Sequence, residues 1–132
     1  MKVLIDLVST ITLPDGDTDR ITHRGNAMLH QNGSLTRLAF PMDGVMQTLM
    51  YETEQPTYVE LTRGGDRLVF ETGRRTEGRY KTEYMTFFPT IMTHRLLVAM
   101  VGGNGVIELD YTLTIEGERQ HFNMKIEVTE AK

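Results

Sequence analysis

Ile107-Glu108-Leu109-Asp110-Tyr111-Thr112-Leu113-Thr114-Ile115 alternates apolar and polar side chains without a break, the period-two signature of a strand with one buried and one wet face. Gly117-Glu118-Arg119 interrupts the run, after which Phe122, Met124, Ile126 and Val128 alternate with His121, Asn123, Lys125 and Glu127. The segment from Gly105 to Val128 therefore reads as a hairpin of two long strands. It is not stable alone, because nothing within it covers its nine apolar side chains. The rest of the chain has to supply that cover.

With 132 residues, of which 39% are hydrophobic and 24% charged, the chain fits one globular domain spanning residues 1–132. No run approaches the roughly 18 apolar residues of a spanning helix, which argues against a membrane protein. Lys2 followed by Val3, Leu4, Ile5, Leu7 and Val8 faintly imitates a signal peptide, but Asp6, Ser9, Thr10 and Thr12 interrupt it and no small-residue cleavage site follows. The segment reads as a first strand. Cysteine is absent, which removes thiol catalysis and zinc–thiolate sites and fits a cytoplasmic protein. The net charge of −4 gives the whole molecule no attraction to nucleic acid or anionic membranes. Basic residues nevertheless concentrate between Arg63 and Lys81, where Arg63, Arg67, Arg74, Arg75, Arg79 and Lys81 face only Asp66, Glu71 and Glu77.

Working outward from the hairpin, strands are predicted at Val3–Leu13, Arg20–His30, Leu35–Phe40, Val45–Tyr51 and Thr57–Arg63. Pro14-Asp15-Gly16-Asp17, Gln31-Asn32-Gly33, Pro41-Met42-Asp43-Gly44 and Gly64-Gly65-Asp66 carry turn chemistry between them. Gly25 marks a bulge or a close approach. Leu68 and Phe70 point inward from a sixth strand, Gly73 to Gly78 forms a charged loop, and Arg79 to Tyr84 alternates as a seventh strand. From Met85 to Val101 the alternation blurs, which suggests a strand around Phe87 to His94 followed by a short strand or helical turn around Leu96 to Val101. Helical periodicity is found nowhere. The expectation is an all-β fold of nine or ten antiparallel strands in up-and-down order, closed into a barrel to bury one face and hide its edges. An open sandwich is the competitor.

The run Arg79-Tyr80-Lys81-Thr82-Glu83-Tyr84, then Thr93, then the strand from Gly105 to Leu113 resembles the YwiB-like family of small bacterial proteins, a domain of unknown function. The Arg63-x-Gly65 corner and Phe70 are similar to that family's central pattern. The resemblance implies a calycin-type barrel, similar to lipocalins and fatty-acid-binding proteins, bacterial and cytoplasmic, with no established activity. Three features depart from these relatives. Tyr84-Met85 stands where a glycine-containing turn is expected, the chain has no tryptophan, and Pro14 to Asp19 is too short for a helical lid.

Chemistry-bearing patterns are sparse. The two serines, Ser9 and Ser34, sit in no nucleophile elbow. Glu108 and Asp110 occupy the polar parity of a strand, where solvated charges belong. His23, His30, His94 and His121 lie on separate elements without metal-ligand spacing. Gly102-Gly103-Asn104-Gly105 is followed by no helix and no Lys-Ser or Lys-Thr, so it joins strands and does not cradle phosphate. No catalytic residue, metal site or cofactor is expected, and the protein is read as a non-enzyme.

A barrel of this size either holds one small ligand or fills with side chains. Met28, Met46, Met50, Met92 and Met124 fall in predicted strands, where flexible thioethers suit a deformable pocket or an irregular core, the core being the simpler reading. Arg63 ends an apolar row. It could clamp a ligand carboxylate, or pair with Glu52, Glu60 or another carboxylate and close the rim, the pairing being favoured. The reading adopted is a lipocalin-like barrel that takes a small amphipathic or acidic molecule, with Arg63, Phe70, Tyr80, Tyr111 and Met50 at the ligand. The alternative is a partner-binding module with a packed interior that uses the Arg63 to Lys81 region on an acidic protein or nucleic-acid surface. Nucleic-acid binding is not expected, because aromatic platforms are not interleaved through that region.

Overall fold

A computed structural model describes residues 1–131 as a ten-stranded antiparallel sheet curled into a nearly closed barrel, with a separate two-stranded ribbon and no helix among the described residues. The chain climbs through β1 (Lys2–Thr12), β2 (Thr18–Asn32), β3 (Leu35–Met42), β4 (Val45–Glu52), β5 (Tyr58–Arg63) and β6 (Asp66–Glu71). It then passes through the short β7 (Arg75–Glu77), β8 (Tyr80–Lys81) and β9 (Thr86–Phe87). The long β10 (Thr90–Val101), β11 (Asn104–Ile115) and β12 (Glu118–Glu130) complete it. The sheet order is β6-β5-β4-β3-β2-β1-β12-β11-β10-β7. Every neighbour is therefore a chain neighbour except where β1 pairs with β12 and β10 with β7.

The hairpin of β11 and β12 keeps its predicted faces. Ile107, Leu109, Tyr111, Leu113, Met124, Ile126 and Val128 are buried, and Val3, Ile5 and Leu7 of β1 join them in one core with Leu38, Leu49 and Val59. The turn is tighter than Gly117-Glu118-Arg119. Glu116 and Gly117 alone make it, both left-handed at φ 49° and 82°, the backbone that matches the twist of a two-residue hairpin. Asp43 and Gly44 do the same between β3 and β4, at φ 53° and 76°.

Barrel closure depends on a seam between β6 and the β7–β10 edge. Arg67 and Arg79 exchange backbone hydrogen bonds of 2.8 and 2.7 Å, Gly73 N–H donates to the Thr93 carbonyl at 3.1 Å, and the Thr76 hydroxyl donates to the Val69 carbonyl. Gly78 lets the chain through this seam. A Cβ there would lie 2.8 Å from the Arg67 carbonyl oxygen and 3.0 Å from Leu68 Cδ2.

Four expectations are corrected. Arg79 to Tyr84 is not one strand: only Tyr80–Lys81 pairs, with Thr86–Phe87 of β9. The Thr82 hydroxyl accepts the N–H groups of Tyr84 and Met85 at 3.3 and 3.1 Å, a local side-chain competitor to ladder pairing that turns the chain. The charged loop from Gly73 to Gly78 contains β7. Residues 90–101 form one continuous strand whose alternation is broken by a bulge between Thr93 and Arg95. Ile91 and Thr93 face inward before it, and Leu96, Val98 and Met100 pack against the core after it. One extra residue thus reverses the parity, which is why the pattern blurred. Gly25 lies in an unbroken register between β1 and β2, so no bulge occurs there.

Candidate functional site

The barrel has a concavity of about 300 Å³ at the end holding the termini, lined by Met1, Leu29, Thr36, Tyr51 and Met100 among others, and opens at the other end, where the β1–β2, β3–β4, β5–β6 and β11–β12 turns gather. A cavity of about 400 Å³ opens there. Its apolar wall comes from Leu61, Leu68, Leu113, Ile115 and Phe122. Its polar groups are Gln47, Arg63, Asp66, Tyr80, Tyr111 and Gln120.

Beneath the mouth lies a three-ring floor. Tyr111 stacks on Phe122 with centroids 4.9 Å apart and planes 5° from parallel, and it meets the fully buried Phe70 at 4.6 Å, tilted by 57°. Such offset and tilted pairs add roughly 0.5–1.5 kcal/mol beyond their area burial. Burial pushes the Tyr111 phenol far up, so it stays neutral and can donate.

Of the polar side chains at the mouth, Gln47, Arg63, Tyr80, Tyr111 and Gln120 make no side-chain hydrogen bond or ion pair among the described residues, whereas Asp66 accepts from the Lys81 N–H. Gln47 is only 7% exposed, while the buried side-chain atom left without a partner among the described residues is Thr93 Oγ1, outside the cavity lining. Arg63 is exposed at the lip and does not make the favoured structural pairing. Its candidate partner Glu60 is taken by Arg67 Nε at 2.6 Å and by the Tyr58 hydroxyl at 3.3 Å. The bond from Arg67 holds the Glu60 carboxyl below the usual carboxylate range, against the opposing effect of burial.

The β8–β9 flap overhangs this mouth. Asp66 Oδ1 accepts the Lys81 N–H at 2.8 Å, and Arg79 Nε donates to the Gly65 carbonyl at 2.9 Å, tying the flap to the β5–β6 turn. Tyr80 reaches the cavity from the flap, and Tyr84 projects into solvent at its tip.

Of the five residues expected at a ligand, the fold brings four together: Arg63, Tyr80 and Tyr111 line the mouth and Phe70 floors it. Met50 is displaced. It sits between the buried Leu49 and Tyr51, half-exposed on the outer parity of β4. Met28, Met46 and Met92 also alternate with inward residues and face out, while Met124 is in the core. The cavity is therefore aromatic and aliphatic, with no methionine lining it. Gln47, Asp66 and Gln120 were missed. Gln47 shares parity with Leu49 and Tyr51, and a polar residue on an apolar parity was the available signal.

On the outer side of β11, Glu108 and Asp110 occupy the polar face as expected. Glu108 lies 3.5 Å from Arg95. Asp110 Oδ1 is 2.6 Å from His121 Nε2, and Oδ2 accepts from Asn123 at 3.1 Å. Burial alone would raise the Asp110 carboxyl, yet these bonds outweigh it and hold the group low.

Comparison with known proteins agrees with this architecture. No curated protein matches the chain. The crystal structure of the ywiB protein from Bacillus subtilis superposes with a TM-score of 0.84 over 99% of this chain and 92% of that one, at 18% identity. That likeness speaks to the fold. Residues 5–127 match the model of the domain of unknown function DUF1934, and to that YwiB-like family the chain belongs.

Proposed function

We propose that this barrel binds a small amphipathic molecule at its open mouth, apolar part inward and acidic group at the lip, without chemical turnover. The observation that carries the reading is the convergence of Gln47, Arg63 and Tyr111, none hydrogen-bonded by its side chain among the described residues, on a cavity walled by Leu61, Leu68, Leu113, Ile115 and Phe122 and lined also by Asp66, Tyr80 and Gln120. Pockets that bind small molecules combine a greasy lining with a few convergent polar groups. A guanidinium with no internal carboxylate retains its fork for a ligand carboxylate. The lining offers donors and one carboxylate, Asp66, which accepts the Lys81 N–H, and no nucleophile hydrogen-bonded to a base, which supports binding over catalysis.

The alternative, a docking face along Arg63 to Lys81, has less support because those side chains are dispersed. Arg67 pairs with Glu60, Arg74 with Glu71, and Arg79 bonds the Gly65 carbonyl, while Arg63 turns to the mouth.

The test is a titration of wild type and Arg63→Met with a fluorescent fatty-acid probe, alongside thermal melts. Saturable binding by wild type, weakened about 10- to 150-fold by the substitution, is expected, since losing a charge-assisted partner costs roughly 1.5–3 kcal/mol. The melting temperature should not move. Absence of saturable binding, or equal affinity in both proteins, would contradict the reading.

A further inference from the structure

The outer face of the same wall carries a second concavity, of about 310 Å³, over β7, β10, β11 and β12. Strand alternation builds it. While Tyr111 and Leu113 face the barrel interior, Thr112 and Thr114 face out, beside Thr90 of β10 in register with Thr114. Arg75 of β7 and Arg119 of β12 stand at either side, three strand spacings apart across the sheet and two residues apart along it, roughly 16 Å at the backbone, and both line the groove. Met92 supplies an apolar patch.

The bulge between Thr93 and Arg95 adds a further donor. Because of it, two successive side chains, His94 and Arg95, both lie exposed on the outside. Arg95 turns to Glu108, and His94 Nε2 lies 2.8 Å from Thr112 Oγ1. When Nε2 carries the proton and donates it, the Thr112 hydroxyl is left to direct its own hydrogen into the groove.

What marks this groove is two free arginines on one lining without a carboxylate. Arg24, Arg67, Arg74 and Arg95 each have a carboxylate within 4 Å. Arg75 and Arg119, like Arg20, Arg37, Arg63 and Arg79, have none among the described residues, and no carboxylate lines the groove. Of the nearby acids, Asp110 holds His121 and Asn123 and Glu108 holds Arg95, while Glu77, in register with Thr90, is exposed on the same face but outside the lining.

We infer that this groove is a binding site for the phosphate group of a small soluble phosphate monoester. Two guanidiniums and three hydroxyls exceed what the two oxygens of a carboxylate can use. A phosphate monoester presents three strong acceptor oxygens and close to two negative charges. The volume exceeds that of the phosphate alone and leaves room for an organic residue against Met92. The site stands apart from the mouth cavity, on the other side of β11.

Amide NMR titration of the full chain with inorganic phosphate and with glycerol 3-phosphate, at constant ionic strength, tests it. Saturable shifts centred on Thr90, His94, Thr112, Thr114 and Arg119 are expected for both. Arg75→Gln and Arg119→Gln should each weaken binding about tenfold or more, and the double variant should abolish saturation. Melting temperatures should not change, because both arginines are exposed and unpaired. Arg63→Met should bind phosphate like wild type, which separates this site from the mouth. Shifts that grow linearly without saturating, shifts centred elsewhere, or a double variant that keeps wild-type affinity would each overturn the assignment.

Discussion

Replacing Phe70 by alanine tests whether the mouth has a built floor. Phe70 is fully buried on β6 and touches Tyr111 ring to ring at 4.6 Å. Buried Phe→Ala changes cost about 3–5 kcal/mol, from lost transfer energy plus the cavity left behind. Here the void opens toward the existing cavity of about 400 Å³, so water can enter and the cost should fall at the lower end, near 3 kcal/mol. Against a typical total of about 5–15 kcal/mol, that leaves a folded but weakened protein. At roughly 3–4 °C per kcal/mol for a domain of this size, the melting temperature should drop by about 10 °C. Urea denaturation of the variant provides the value. A loss below about 1 kcal/mol for Phe70→Ala would refute a packed floor beneath an open mouth.

Other substitutions probe the seam, the outer face and the acid limb. Gly78→Ala should destabilise by about 1–3 kcal/mol, read by urea denaturation, because its Cβ would meet the Arg67 carbonyl oxygen at 2.8 Å. Met50→Ser should change stability by less than about 0.5 kcal/mol and leave fatty-acid probe affinity untouched, since Met50 faces outward. Glu60 and Asp110 have depressed carboxyl pKa values in the folded state. Their stabilisation is therefore complete above the unfolded values of about 4 and is lost as pH falls through the folded ones. Urea midpoints measured from pH 7 to 3 should decline on the acid side, and less steeply in Glu60→Gln with Asp110→Asn. Equal acid slopes would contradict the two pairings.

The sequence makes β11 and β12 legible because each has one wet and one buried face and no interruption. β10 is not legible by the same rule: the bulge at His94 reverses its parity, and pattern reading assumes a constant one. At Thr82 a local hydroxyl captures two N–H groups that alternation assigns to a ladder. Arg63, Tyr80, Tyr111 and Phe70 are found because their strands keep phase, whereas Met50 was placed by its chemistry against its own parity. The outer groove was within reach. Once the turn is fixed at Glu116 and Gly117, register alone pairs Thr114 with Arg119 and Thr112 with His121. What no local pattern supplies is Arg75, which reaches that face through pairing of β7 with β10 across a loop.

The claim that the open mouth is a ligand site is tested most directly by methyl NMR with decanoate. The account predicts saturable shifts of the Leu61, Leu68, Leu113 and Ile115 methyls, lost in Arg63→Met. Methyls away from the mouth, those of Val3, Leu38 and Val128, should stay still. Unmoved mouth methyls at saturating decanoate, or shifts confined to the end holding the termini, would contradict it.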